Sequence, residues 1–240
     1  MLLSLNDNVV DVWIVDLQVP DQTLRRAYDV LSNDEVQRAQ RFRFPIDSRR
    51  FVIARATLRK ILGAYSQTSP ESIGFEYTEY GKPRLAKPPR NIRFNASRSG
   101  ERALIACTMG REVGIDIEWI SRDLEIDDLA RRFFTVAENE KLQTFPADHR
   151  HQAFLRCWTC KEAFVKAVGK GLSLDLDTFD VSAGLGDPSL ALSTPIARFV
   201  VNGWSLIPFG AHTVAGYISA LAAEGEDVGV TVQPWVESEL

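Results

Sequence analysis

Two stretches of the chain alternate apolar and outward-facing positions in the way a half-buried β-strand requires: "VDVWIVDL", Val10 to Leu17, and "VGIDIEWI", Val113 to Ile120. Elsewhere the period changes. "LSNDEVQRAQRF" (Leu31 to Phe42) and "FTVAENEKLQTF" (Phe134 to Phe145) are spaced as helices and align without gaps at an offset of 103. Glu35 and Glu138, Gln40 and Gln143, and Phe42 and Phe145 are identical pairs. Each copy opens with S/T-x-x-E, a capping box in which hydroxyl and carboxylate each satisfy a free N–H at a helix start. The same offset carries "FVIARATLRKIL", from Phe51, onto "FLRCWTCKEAFV", from Phe154, each a helical pattern after a short break at Pro45 or Pro146. Strand material closes each half: "SIGFEYTEY" and "NIRFNASRSGERALIACT" in the first, "RFVVNGWSLIPF" and "HTVAGYISAL" in the second.

The pattern predicts an α/β fold of the α+β type. Two similar α/β halves, residues 1–111 and 112–240, are expected to pack about a pseudo-twofold axis, with a site in the cleft between them.

Composition narrows the classes. The 240 residues are 45% hydrophobic and 25% charged, which is ordinary for a soluble globular protein. No apolar run approaches membrane-spanning length, and "MLLSLNDNVVDVW" lacks the basic and apolar segments of a signal peptide, so a cytoplasmic protein away from membranes is expected. Three cysteines, an odd and small number, argue against a disulfide framework, and reduced thiols are expected. A net charge of -4 argues against a general nucleic-acid binder. Yet eight basic residues lie between Arg38 and Lys60 against the single acid Asp47. A solvated helix face is the plain reading of such a run; in an acidic protein it also suggests a local anionic ligand.

In "VGIDIE" the two-residue period puts Asp116 and Glu118 on one face of a strand and Val113, Ile115 and Ile117 on the core face. Neighbouring carboxylates repel unless they are solvated or share a cation, and an all-oxygen set favours magnesium or manganese. "AFLRCWTCKEAFVKAVGKG" reads as a helix from Ala153 to about Val168, closed by Gly169, with Trp158, Glu162 and Lys166 along one stripe. Glu162 is placed to add a third carboxylate, with Lys161 and Lys166 available to neutralise an anionic ligand. The bland alternative is a surface Glu162–Lys166 pair worth about 0.3 kcal/mol.

Cys157 and Cys160 also spell C-x-x-C, but they lie a turn or more inside this helix, where no N-terminal dipole activates a thiol. Zinc binding through His149, His151 and the two cysteines would require the helix to be broken, and the spacing matches no standard finger pattern.

"GIDIE" and "WTCKEAFVK", joined by "YGKPRL" (Tyr80 to Leu85) and "FNASRS" (Phe94 to Ser99), resemble the motifs of 4'-phosphopantetheinyl transferases of the kind that activates surfactin synthetase. The likeness runs from about Arg38 to Asp180, and the four motifs in this order are highly specific. That family has two similar α/β halves with coenzyme A in the cleft between them. The resemblance implies a magnesium ion, or manganese, on Asp116, Glu118 and Glu162, and Lys166 on the phosphates of coenzyme A. It also implies that Lys82, Ser97 and arginines of the Arg38 to Arg50 region, among them Arg41, Arg49 and Arg50, hold the 3'-phosphate and diphosphate, with Lys161 and Arg98 nearby. Arg98 stands where the family usually has histidine, and it keeps a positive side chain suited to phosphate.

The implied reaction transfers the 4'-phosphopantetheine group of coenzyme A to a serine of an apo acyl or peptidyl carrier protein, releasing 3',5'-ADP. Glu162, or a metal-bound water held by it, takes the serine proton, and Lys166 and Asp116 act in the same step. A monomer suffices for such a site. The rival classes are another metal-dependent phosphate enzyme such as a nuclease, which should bind nucleic acid in a salt-dependent way, and a non-enzymatic binding module.

Overall fold

A computed structural model of the chain describes residues 3–88, 90–120, 125–186, 198–209 and 213–236. The first half runs β1 (Val9–Asp16), α1 (Asp21–Asp29), α2 (Asn33–Gln40), α3 (Pro45–Ser66), the short pair β2 (Phe75–Tyr77) and β3 (Pro83–Leu85), then β4 (Ile92–Ser99) and β5 (Arg102–Met109). The second runs β6 (Val113–Trp119), α4 (Ile126–Phe133), α5 (Val136–Gln143), α6 (Ala147–Val168), β7 (Phe199–Val201), β8 (Trp204–Phe209), β9 (Tyr217–Glu224) and β10 (Gly229–Pro234). One sheet has the order β10-β1-β5-β4, the other β6-β9-β8-β7.

The β1-β5-β4 and β6-β9-β8 runs are antiparallel counterparts of each other, each backed by its own 22-residue helix, α3 or α6. Alternation along the strands sorts the apolar residues into three cores. Trp13, Val15, Ile105 and Cys107 face α3; Ile218, Ala220 and Ala222 face α6; Val10, Val12, Leu104, Ala106, Val113, Ile115, Ile117 and Leu221 meet between the two sheets. The halves therefore share a core rather than merely touching.

Three features stand out against the sequence pattern. First, β10 crosses back from the second half and pairs parallel with β1, from Val9 opposite Gly229 to Ile14 opposite Pro234. Without β10 the outer edge of β1 would leave a row of backbone groups unpaired, and Trp235 beyond it packs edge-on against Trp13 at 5.4 Å. Secondly, α6 starts at Ala147, six residues before the expected Ala153, so His149 and His151 lie on the same helix as Cys157 and Cys160. Pro45 likewise opens α3 rather than preceding it, since the missing N–H of proline costs nothing in a first turn. Thirdly, the long helices correspond at an offset of 102, one less than the short ones. Both end on a left-handed residue, Gln67 in the first and Gly169 in the second.

The offset matters because it aligns one cation in each half. In both capping boxes the glutamate returns to the N–H of its cap residue, Glu35 to Ser32 at 3.0 Å and Glu138 to Thr135 at 2.8 Å. Each glutamate also reaches the long helix: Glu35 pairs with Arg59 at 2.7 Å and Arg55 at 2.5 Å, and Glu138 with Lys161 at 2.8 Å. Arg59 and Lys161 are the equivalent positions. These carboxylates are buried, so the pairs tie short helix to long helix in each half.

Candidate active site

The halves meet along β4 and β6, and every second residue of β4 makes that contact through its side chain. Asn95 accepts the N–H of Ile115 at 2.9 Å; Ser97 donates to Asp116 Oδ1 at 2.8 Å; Ser99 donates to Glu118 Oε2 at 2.8 Å and accepts the N–H of Trp119 at 3.1 Å. A strand with polar side chains at period two thus hydrogen-bonds along the strand of acids. Asn95 and Ser99 went unassigned in the sequence reading, although the alternation in "FNASRS" carries the signal.

The other carrier of chemistry, α6, is pressed against β6. A Cβ added to Gly114 would lie 2.1 Å from the Ala163 carbonyl oxygen and 2.3 Å from the Ala167 nitrogen, so only glycine allows this approach. The closeness brings Lys166 Nζ to 2.5 Å from Asp116 Oδ1 and 3.1 Å from Ser97 Oγ. Burial pushes the Glu162 carboxyl up from its ordinary value, and the negative charges of Asp116 and Glu118 push the same way while Lys166 opposes them. Glu162 thus feels the charge of both other expected acids.

Two adjoining hollows share Pro83, Asn95 and Ala96 and lie along this junction. One is walled by Arg38, Phe51, Arg55, Ser97 and Arg98; the other by Tyr80, Lys82, Glu162, Val165 and Lys166. Arg98 lies over the rings of Phe42 and Phe51, at 5.6 and 5.8 Å from their centroids. Burial draws its guanidinium down from the ordinary value, as do Arg38 and Arg50, against Asp47; an anion in this hollow relieves that strain.

The remaining expected ligands divide. Arg50 is half-buried, 3.8 Å from Asp47 and 4.0 Å from Glu101. Arg41 is exposed just past α2, and Arg49 is held by Asp21 at 2.6 Å and the Val19 carbonyl at 2.5 Å; none of these three arginines lines the two hollows, and Arg50 reaches them only through its charge on Arg98. Lys161 is a correction: it is wholly buried, bound to Glu138 and to the carbonyls of Leu176 and Phe179 at 2.6 and 2.8 Å, on the side of α6 away from the cleft. A cation so enclosed holds the fold and does not meet a ligand. Lys82, also buried, bonds Glu112 and the Ala167 carbonyl. Arg38, inside the expected Arg38 to Arg50 region, and Arg55, outside it, both line the cleft. Cys157 and Cys160 are buried, and burial pushes the Cys160 thiol up to about 12, so neither is a redox nucleophile.

Among the described residues no three His, Cys, Asp or Glu side chains form a group that holds a metal ion as it stands. The donor chemistry nevertheless fits a hard cation: Asp116 Oδ2 is buried with no hydrogen-bond partner, and Glu162 carries a raised carboxyl facing two more. Among the described residues no helix is long and apolar enough to cross a membrane.

A duplicated α/β chain whose inter-half cleft is lined by arginines at one end and by a carboxylate–lysine cluster at the other defines an enzyme for a phosphate-bearing substrate. The family described as the 4'-phosphopantetheinyl transferase superfamily matches residues 112–214, and 4'-phosphopantetheinyl transferase, N-terminal, matches residues 18–110. Similar proteins include the 4'-phosphopantetheinyl transferase HetI of Nostoc sp., 35% identical over 207 residues, covering 85% of this chain and 84% of that one. The 4'-phosphopantetheinyl transferase psf-1 of Bacillus pumilus is 34% identical over 204 residues (82% and 85% covered), and Sfp of Bacillus subtilis 31% over 167 (70% and 73%). The chain belongs to the 4'-phosphopantetheinyl transferase superfamily. It is a transferase that moves the phosphopantetheine group of coenzyme A onto carrier proteins.

Proposed function

We propose that the transfer depends on magnesium, with manganese able to replace it, held by Asp116, Glu118 and Glu162. The observation that carries this reading is the buried, unpartnered Oδ2 of Asp116 beside Lys166 at the inner end of the cleft. A carboxylate oxygen left without a donor costs about 1–3 kcal/mol, and a cation ligand removes that cost. Bound there, the cation supplies positive charge opposite the diphosphate of coenzyme A.

Arg38, Arg50, Arg98 and Ser97 take the adenosine 3'-phosphate and diphosphate along β4, which leaves the pantetheine arm to the hollow beside Tyr80 and Val165. The carrier serine oxygen bonds to the pantetheine-side phosphorus while the bond from that phosphorus to the bridging oxygen breaks. The serine proton passes to Glu162, and Lys166 balances the charge of the departing 3',5'-ADP. One chain supplies every group named, so a monomer suffices, working in the cytoplasm on acyl or peptidyl carrier proteins and without nucleic acid.

The test is the intact mass of an apo carrier protein after incubation with this protein and coenzyme A, with magnesium or with a chelator. A gain of one phosphopantetheine that the chelator abolishes, and that Glu162→Gln nearly abolishes while coenzyme A still binds, supports the reading. Full transfer in chelator, or by Glu162→Gln, sinks it.

A further inference from the structure

Lys82 belongs to the "YGKPRL" motif, and its resemblance-implied role is to hold phosphate. Its surroundings say otherwise. The side chain is 7% exposed, and its ammonium spans the two halves, 2.6 Å from Glu112 Oε2 and 2.8 Å from the carbonyl oxygen of Ala167. Glu112 is in turn gripped on its other oxygen by Arg84 at 2.9 Å and Arg93 at 3.5 Å. Both partners lie at strategic ends. Glu112 immediately precedes β6, which carries Asp116 and Glu118; Ala167 follows Lys166 in the last turn of α6, where carbonyls lack helical partners and a cation is favoured. The lysine stem runs over Gly169, where a Cβ would come within 3.1 Å of Lys82 Cδ, so the glycine that ends α6 also makes room for the lysine.

We propose that Lys82 is a positioning residue: with Glu112 it clamps the C-terminal end of α6 to the start of β6 and so sets Lys166 and Glu162 against Asp116, rather than binding coenzyme A. The inference rests on the reading that Lys166 and the three acids act on the diphosphate. Burial draws the Lys82 ammonium down and Glu112 holds it up, while Lys82, Arg84 and Arg93 hold the Glu112 carboxyl below its ordinary value against burial. Three cations thus surround one carboxylate. Swinging Lys82 out to a phosphate would give up both of its bonds, including the one to the Ala167 carbonyl in the last turn of α6.

A phosphate ligand and a clamp differ in two readouts: the affinity for coenzyme A, and the preference for coenzyme A over 3'-dephospho-coenzyme A. Both are measured, with kcat, for the wild type, Lys82→Met and Glu112→Gln, using calorimetry for coenzyme A binding and circular dichroism to confirm folding. The clamp predicts that both variants lose kcat to a similar extent, about 10- to 100-fold, since a displacement of about 1 Å at reacting groups costs about 100-fold. It predicts an unchanged dissociation constant for coenzyme A, within about twofold, and an unchanged preference for the 3'-phosphate. The proposal is overturned if Lys82→Met weakens coenzyme A binding or erases that preference while Glu112→Gln behaves as wild type, and equally if both variants keep full kcat. Should Lys82→Met fail to fold, Glu112→Gln alone decides through its kcat. Failure of the underlying reading is separable, because it appears in the wild type as transfer that persists in chelator.

Discussion

Gly114 on β6 and Ala163 on α6 are in backbone contact: a Cβ on the glycine would sit 2.1 Å from the alanine carbonyl oxygen. Backbone cannot yield as a side-chain tip can, so Gly114→Ala must drive α6 off the strand. Overpacking of this kind costs about 3 kcal/mol or more. We expect a lower urea midpoint and transfer reduced beyond what the loss of folded protein explains, because the same shift moves Lys166 away from Asp116. A variant with wild-type midpoint and rate would show the contact to be slack.

Lys161 was expected at the ligand and lies instead in the fold, against Glu138. Lys161→Met leaves a buried carboxylate with one donor fewer, and breaking such a pair costs about 3–5 kcal/mol. The folded fraction at low temperature should bind coenzyme A with wild-type affinity. Calorimetry that finds weaker binding at unchanged stability would return Lys161 to the cleft.

Glu35 is the counterpart in the first half and offers a pH test. Burial raises its carboxyl, but the hydrogen bond from Arg59, the charge of Arg55 and the Ser32 N–H outweigh it, and the net shift is downward. A folded value below the unfolded one, about 4.3, gives stability that is present above about pH 4 and lost as pH falls through the folded value. Glu35→Gln should therefore cost about 3–5 kcal/mol at neutral pH, with the gap to wild type narrowing in acid. Denaturation curves at neutral pH and near pH 3 check this; a gap constant with pH would contradict it.

Ser99 steers Glu118 from the neighbouring strand. Its removal forfeits about 1 kcal/mol of hydrogen bonding, so Ser99→Ala should fold normally. Under the metal reading it should require about tenfold more magnesium for half-maximal transfer. Equal magnesium dependence in the two proteins would show that Glu118 needs no steering.

Much of this arrangement is written locally. The strand of Val113 to Trp119, its acids on one face, the capping boxes at Ser32 and Thr135, and the duplication itself follow from spacing, because period, capping and turn chemistry involve residues only a few positions apart. Lys161, Lys82 and β10 are different. On the sequence Lys161 and Lys166 are two cations on one helix, and nothing local says that one faces Glu138 in the core and the other the cleft. Which side of α6 is buried depends on where β6 and α5 lie, and Lys82 meets Glu112 and Ala167 across 30 and 85 residues. The return of β10 to β1 spans more than 200 residues. These pairings come from satisfying buried charges and open strand edges once the halves have packed, and packing over such separations leaves no periodic trace in the chain.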